Sequence, residues 1–426
     1  MRTRIIFFVL ICCFPFSIDA QTADQRVEEL MEKNEWFLLD EEFPVLKNKI
    51  SSPVLKKYTE MMLKVYFNEL PAAMKDVESL LANHQDELGN KLIDVVICEC
   101  QVLARMGYYE DAADRMRELT NQLAQFVPKE NIVDLFTFVD YYNQLRHVKP
   151  FYILRSGKEV KIPFTLEKVG RGNLMFFMVN IHGQEYKFFF DTGTTGMVLS
   201  ERMAEKIGLK PIADSPVTGS MGKKIGKIAT IDSIQIGEIS YYNPLVHIIP
   251  PDPAVDSIFQ IDAALGADFM NLIGELHIYP AEKKIVFPAR QMELPPTGRN
   301  MMVSNGAYYL KVFSGNERFK MLFDSGNVES DLFASYYRRH QYEIISRGIR
   351  DSIYIGGVGG YAQRQVIRLD SISLKIGDIV FSLNNVAVNP DKEVYQNDED
   401  GALGMTFICS FSKVIINFRK MFLKVE

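Results

Sequence analysis

Cysteine is scarce in this chain and badly placed for a disulfide scaffold. Five occur in 426 residues. Cys12 and Cys13 lie in an apolar run at the start, leaving Cys98, Cys100 and Cys409, an odd number without regular spacing. A Cys-x-Cys inside a helical pattern is a poor metal site, so the three read as buried small apolar residues. The six His form no His-x-x-x-His or His-Glu pattern, and Gly-x-Ser-x-Gly does not occur, which removes support for metal and serine hydrolases. Neither a metal nor a cofactor is expected. Basic charge is not in excess: the formal net charge is −6 with Lys and Arg scattered, and nothing points to nucleic acid.

Long apolar runs are also missing beyond the start. There, Arg2 and Arg4 precede an apolar stretch from Ile5 to Phe16, and Ser17 to Ala20 offers a small-residue cleavage point before Gln21. This pattern is that of a secretory signal peptide over residues 1–20, too short to span a bilayer. It predicts an exported protein, periplasmic or secreted, with no integral membrane segment after signal removal. Cys12 and Cys13 lack the small residues expected ahead of a lipid-anchored Cys, so no lipidation is predicted.

What is present divides near residue 150, and a hydrophobic content of 47% is ample for two globular units. Residues 21–150 follow a helical period. Leu92, Ile93, Val96, Ile97, Cys100, Leu103 and Ala104 fall on one face, Gly107-Tyr108-Tyr109 interrupts, and Ala112, Ala113, Met116, Leu119 and Leu123 resume. Helix, Gly-Tyr turn and helix resemble a tetratricopeptide-type hairpin; a small helical bundle packed on the remainder is the plainer expectation. Such a domain could present a protein partner, hold substrate, or act as an inhibitory pro-region.

After residue 150 one motif occurs twice. Apolar residues run into Asp191-Thr192-Gly193-Thr194, and Met321 to Phe323 run into Asp324-Ser325-Gly326-Asn327. Upstream of each lies a strand, a polar turn and a returning strand: Met175 to Ile181, His182 to Glu185, Tyr186 to Phe190, and again Tyr308 to Phe313, Ser314 to Glu317, Arg318 to Phe323. Downstream, Ile231 to Ile234 with Gly237 is echoed by Leu369 to Ile372 with Gly377. Ala264-Leu265-Gly266 and Lys284 to Phe287 are echoed by Ala402-Leu403-Gly404 and Lys413 to Ile416. The two Asp are 133 residues apart and the two Leu-Gly segments 138, which makes a two-fold internal repeat. One Asp-Ser/Thr-Gly alone would be only a strand-to-turn signal.

With these motifs, roughly residues 160 to 426 resemble the pepsin and retroviral-type aspartic peptidases, and the compact repeats look more like two fused retroviral-type subunits than like pepsin lobes. The resemblance implies an α+β multidomain chain in which the helical domain precedes an all-β bilobal unit of pseudo-two-fold symmetry, lobe 1 at 160–290 and lobe 2 at 300–426. Each lobe would supply one catalytic Asp, Asp191 and Asp324, and each Leu-Gly segment would cross beneath an Asp loop. By the family's pattern Thr192 and Ser325 hydrogen-bond across the pseudo-dyad; their plainer reading is as ordinary turn hydroxyls. Gly193 and Gly326 would let the backbone turn tightly and aim amide N–H groups at the carboxylates. At the next position Thr194 fits the expected small or hydroxyl residue, whereas Asn327 is larger and carries an amide that can donate a hydrogen bond.

Two carboxylates about 3 Å apart share one proton and titrate as a pair. The charged member activates water while the protonated one polarises the scissile carbonyl, with no acyl-enzyme. Ser352 to Ile355, Gly356-Gly357-Val358-Gly359-Gly360 and Tyr361 to Ile367 read as a hairpin with a Gly-rich tip, a candidate flap. Gly219 to Ile228 is its counterpart, and a plain solvent hairpin is the alternative. Gly357-Val358-Gly359 with Ala362 has a dinucleotide-like spacing, but a strand pattern follows it, so that reading is rejected. The expectation is an exported aspartic endopeptidase acting on an extended polypeptide, with main-chain hydrogen bonds holding the substrate in the cleft. The rival is a catalytically silent peptide-binding scaffold that keeps the fold.

Overall fold

The computed structural model describes residues 21–219, 221–253, 261–391 and 398–426. The signal peptide read at 1–20, with Cys12 and Cys13, lies outside the described residues. Among those described, no helix is long and apolar enough to cross a membrane.

Seven α-helices come first: α1 Ala23–Glu32, α2 Trp36–Leu46, α3 Pro53–Tyr66, α4 Leu70–Asn83, α5 Lys91–Arg105, α6 Tyr109–Leu123 and α7 Val133–Leu145. Their starts are encoded locally. Thr22 and Gln25 form a capping box on α1, and Ser52 caps α3 with Pro53 at its first position, where no amide partner is needed. Gly107 ends α5 in the left-handed region at φ +84°, and its α-carbon lies so close to Pro150 that a Cβ would come within 2.9 Å of that ring.

The sequence period predicts one apolar face on α5, whereas the helix is buried on two. Val95, Cys98 and Val102 pack with α3 and α4 residues Tyr58, Met61, Val77 and Leu80. Val96 and Cys100 pack with Ala112, Met116 and Tyr142 of α6 and α7. A helix in the middle of a stack must bury both sides, so its apolar pattern is wider than a one-face count suggests. Cys98 and Cys100 are buried; Cys409 is instead exposed, because its short helix Met405–Ile408 ends at the surface.

The early helices are not separate from the β part. Val27, Leu30, Trp36, Phe37 and Phe67 share one continuous core with the β-strand residues. Lys311 and Arg318 pair with Glu41 at 2.5 and 2.7 Å, Arg299 pairs with Glu69 at 2.5 Å, and Asn68 donates to the Phe418 carbonyl at 2.8 Å.

Three sheets follow, of eleven, five and eight strands among the described residues. In the first, Gly172–Ile181 and Gln184–Asp191 form a hairpin through His182 and Gly183, both at positive φ, as a tight two-residue turn requires. Ala307–Ser314 and Glu317–Phe323 repeat that hairpin in the third sheet. Each Asp strand then takes its Leu-Gly segment as a parallel neighbour, Asp191 opposite Gly266 and Phe323 opposite Leu403. The five-stranded sheet ties the halves together, since Glu275–Tyr279 pairs antiparallel with Val414–Asn417. Helices thus precede a β-rich remainder, an α+β chain.

Candidate active site

Each motif Asp stands where a buried strand gives way to a loop. Phe188, Phe190, Met321 and Phe323 are fully buried, while Asp191 and Asp324 are only half-buried. The two carboxyls, 133 positions apart in sequence, are hydrogen-bonded to each other. Gly193 N–H donates to Asp191 Oδ1 at 2.9 Å, and Gly326 N–H to Asp324 Oδ1 at 2.8 Å. Neither glycine has positive φ, so the expected need for an unusual turn does not apply. Space is what requires them. A Cβ on Gly193 would lie 2.5 Å from Asp324 Oδ1, and one on Gly326 would lie 2.5 Å from Asp191 Oδ1. Each loop therefore makes room for the opposite carboxylate.

Below the carboxyls, four hydrogen bonds join the loops. Thr192 N–H donates to Ser325 Oγ at 2.9 Å and Ser325 N–H to Thr192 Oγ1 at 2.8 Å. Thr192 Oγ1 donates to the Phe323 carbonyl and Ser325 Oγ to the Phe190 carbonyl, both at 2.9 Å. Both side chains are fully buried. Each hydroxyl accepts from one main-chain group and donates to another, so no buried polar group there is left unpaired. The Leu-Gly segments press against the same loops: Gly266 N–H reaches the Gly196 carbonyl at 2.8 Å, and Met405 N–H the Asn327 carbonyl at 2.8 Å.

Burial raises both carboxyls above the ordinary aspartate range, and the charge of Asp324 pushes Asp191 well above it. The glycine amides act in the opposite sense. Such a pair keeps one proton between its members where an isolated Asp would have lost it.

The fourth motif residues serve the carboxyls through their main chain. The main-chain N–H of Thr194 and of Asn327 serves the neighbouring Asp, rather than either side chain. The Asn327 amide turns away and donates to Asp331 Oδ1 at 3.0 Å. Asp331 was missed at the sequence level. Burial first, and then the charges of Asp324 and Glu329, push its carboxyl up to about 7. The available signal was a carboxylate seven residues after Asp324 where the first copy has Val198. Arg368 was missed as well. It is buried, and its guanidinium holds Glu329 at 2.9 Å and Asp351 at 2.6 Å, while Arg171 of the other half also grips Asp351 at 2.6 Å. No short-range pattern marks such a chain of ion pairs.

Of the candidate flap glycines, Gly356 and Gly357 fall at the end of strand Ile349–Gly357, and Gly360 begins Gly360–Ile376. Gly359, at φ +103°, makes the turn, with Gly357 opposite Gly360. Tyr354 stacks on Tyr361 with centroids 5.2 Å apart. The counterpart hairpin is Ala213–Gly219 with Gly222–Thr230. The two tips touch: Met221 N–H donates to the Val358 carbonyl at 3.2 Å, and a Cβ on Gly219 would come within 2.5 Å of the Val358 side chain. Neither tip is a free solvent hairpin. Among the described residues, no group of three or more His, Cys, Asp or Glu could hold a metal ion.

Residues 177–269 match the aspartyl protease family, a stretch that contains the first Asp-Thr-Gly and its Leu-Gly segment and ends before the second copy. DNA damage-inducible protein 1 of Yarrowia lipolytica is 29% identical over 106 residues, which are 24% of this chain and 24% of that protein. The chain thus spans about a quarter of the length of that curated relative. Among solved structures, a retropepsin-like aspartic protease from Rickettsia conorii is similar at 16% identity and a TM-score of 0.22, over 32% of this chain and 90% of that one.

Proposed function

We propose that the protein is an exported aspartic endopeptidase of retropepsin type, in which Asp191 and Asp324 activate one water between them. The observation that carries this reading is the pair of carboxyls hydrogen-bonded to each other, each with its own glycine amide and both loops locked by the Thr192 and Ser325 hydroxyls. The match to the aspartyl protease family over residues 177–269 supports it independently.

In this mechanism the ionised carboxyl takes a proton from water as it attacks the scissile carbonyl carbon. The other carboxyl gives its proton to the carbonyl oxygen, and the pair then returns a proton to the leaving amine. Raised affinity for the shared proton keeps one acid and one base available under mildly acidic conditions. The two halves act as lobes related by a pseudo-two-fold axis, 160–290 and 300–426. The hairpins ending at Met221 and Val358 act as paired flaps, so an extended polypeptide enters when their tip contact opens. The helical region, 21–150, serves as a fixed support, consistent with the shared core of α1 to α3, and leaves α4 to α7 to meet a protein partner. Export rests on the signal pattern in residues 1–20.

Purified residues 21–426 are expected to cleave a diverse peptide mixture between about pH 3 and 7, where such pairs titrate. Asp191→Asn and Asp324→Asn should each abolish cleavage while leaving the melting transition in place. Unchanged cleavage by either variant would sink the assignment; a parent that binds peptides but cuts none would favour the silent scaffold.

A further inference from the structure

The two halves differ at the strand residues that flank the carboxyls. In the first half, register partners set Phe189, Ala264, Val198 and His247 side by side on neighbouring strands. In the second, the same steps give Leu322, Ala402, Asp331 and Ala387. Register partners share a sheet face, and residues two apart on one strand share it too. Phe189 precedes Asp191 by two on one strand, and Leu322 precedes by two Asp324, the first residue beyond its strand, so each row runs beside its own Asp. Val198 and Asp331 are equivalent by position, and both are half-buried between more deeply buried neighbours. One wall carries valine where the other carries a carboxylate.

Resting on the peptidase reading, we propose that Asp331 is a specificity residue that selects a basic side chain, Lys or Arg, on the substrate residue lying against the second-half wall. Three features of the wall support the choice. The flanking Ala402 and Ala387 are short and themselves buried, so Asp331 is the half-buried polar group of the row. Asp331 sits among the like charges of Asp324 and Glu329, which together with burial make an unpaired carboxylate costly and an arriving cation favourable. The nearby guanidinium of Arg368, opposite Ala387 on the next strand, is already committed to Glu329 and Asp351 and to the Asn385 carbonyl at 2.6 Å. The amide of Asn327 holds Asp331 Oδ1 in place and brings no charge. The first-half wall, with Val198 beside His247, offers no such anion, so the preference is confined to one side of the scissile bond.

The test uses a positional-scanning library of reduced-amide peptides, which cannot be cut, at about pH 8 where the Asp331 carboxyl is ionised, on the purified protein and on Asp331→Val and Asp331→Asn. The expected result is one position where Lys or Arg binds at least about 10-fold better than Val, on one side of the reduced bond. Asp331→Val should reverse that order, and Asp331→Asn should flatten it. No basic preference at any position, or one that survives in Asp331→Val, overturns the proposal. The same sequences with ordinary peptide bonds then separate the two ideas: a selective binder that cuts none of them keeps the subsite and loses the peptidase.

Discussion

Replacing Thr192 with Val keeps the shape of the side chain and deletes one hydroxyl. That hydroxyl accepts from Ser325 N–H at 2.8 Å and donates to the Phe323 carbonyl at 2.9 Å, all in a fully buried setting. The variant therefore strands a buried donor and a buried acceptor. Each such group costs about 1–3 kcal/mol, so the pair should cost roughly 4 kcal/mol. At about 2–4 °C per kcal/mol for a domain of this class, the melting temperature should fall by roughly 8 °C or more. Thr192→Ser is the control: it keeps the hydroxyl and loses one methyl, worth about 1 kcal/mol. Denaturant melts of the parent and both variants measure the difference directly. Ser325→Ala should match Thr192→Val, since Ser325 Oγ serves Thr192 N–H and the Phe190 carbonyl in the same way. A loss below about 0.5 kcal/mol in Thr192→Val, or equal losses in Thr192→Val and Thr192→Ser, would show that the crossed hydroxyls do not hold the loops.

Three further outcomes follow from the same geometry. Gly193→Ala and Gly326→Ala should each cut peptide hydrolysis by at least about 100-fold, because the added methyl would sit 2.5 Å from the opposite carboxylate and a misplacement of 1 Å is enough for such a loss; near-normal rates would refute the steric account. Asn327→Ala should cost about 1 kcal/mol in a melt through its lost bond to Asp331, yet leave hydrolysis within a few-fold, since main-chain amides serve Asp324. Asp331→Asn should leave the melting temperature close to that of the parent near pH 4 and exceed it near pH 8. The sign comes from linkage. A carboxyl raised from 3.8 to about 7 binds its proton more tightly when folded, so its stabilisation is present below about pH 4 and is lost as pH climbs towards 7. An amide escapes that loss. Parallel melting curves for parent and variant across pH 4 to 8 would contradict it.

Much of the site was legible in order along the chain. The apolar strands, their polar turns, the two Asp-Thr/Ser-Gly motifs and the Leu-Gly segments are local patterns, and local patterns survive in sequence because strand period and turn chemistry act over a few residues. The helix break at Gly107 is legible for the same reason.

What tertiary structure decided is whatever joins residues 133 positions apart. The chain order names Thr192 and Ser325, but only the docking of the two loops gives each hydroxyl its partners. It names Gly193 and Gly326, but only the opposite carboxylate explains why a methyl cannot stand there. Strand register, set by the neighbours on both sides, placed Asp331 in the wall where the first half has Val198. The burial of α5 on two faces, the joining of α1 to α3 with the β core, and the meeting of the tips at Met221 and Val358 likewise depend on packing between distant segments, for which no window of sequence carries a signal.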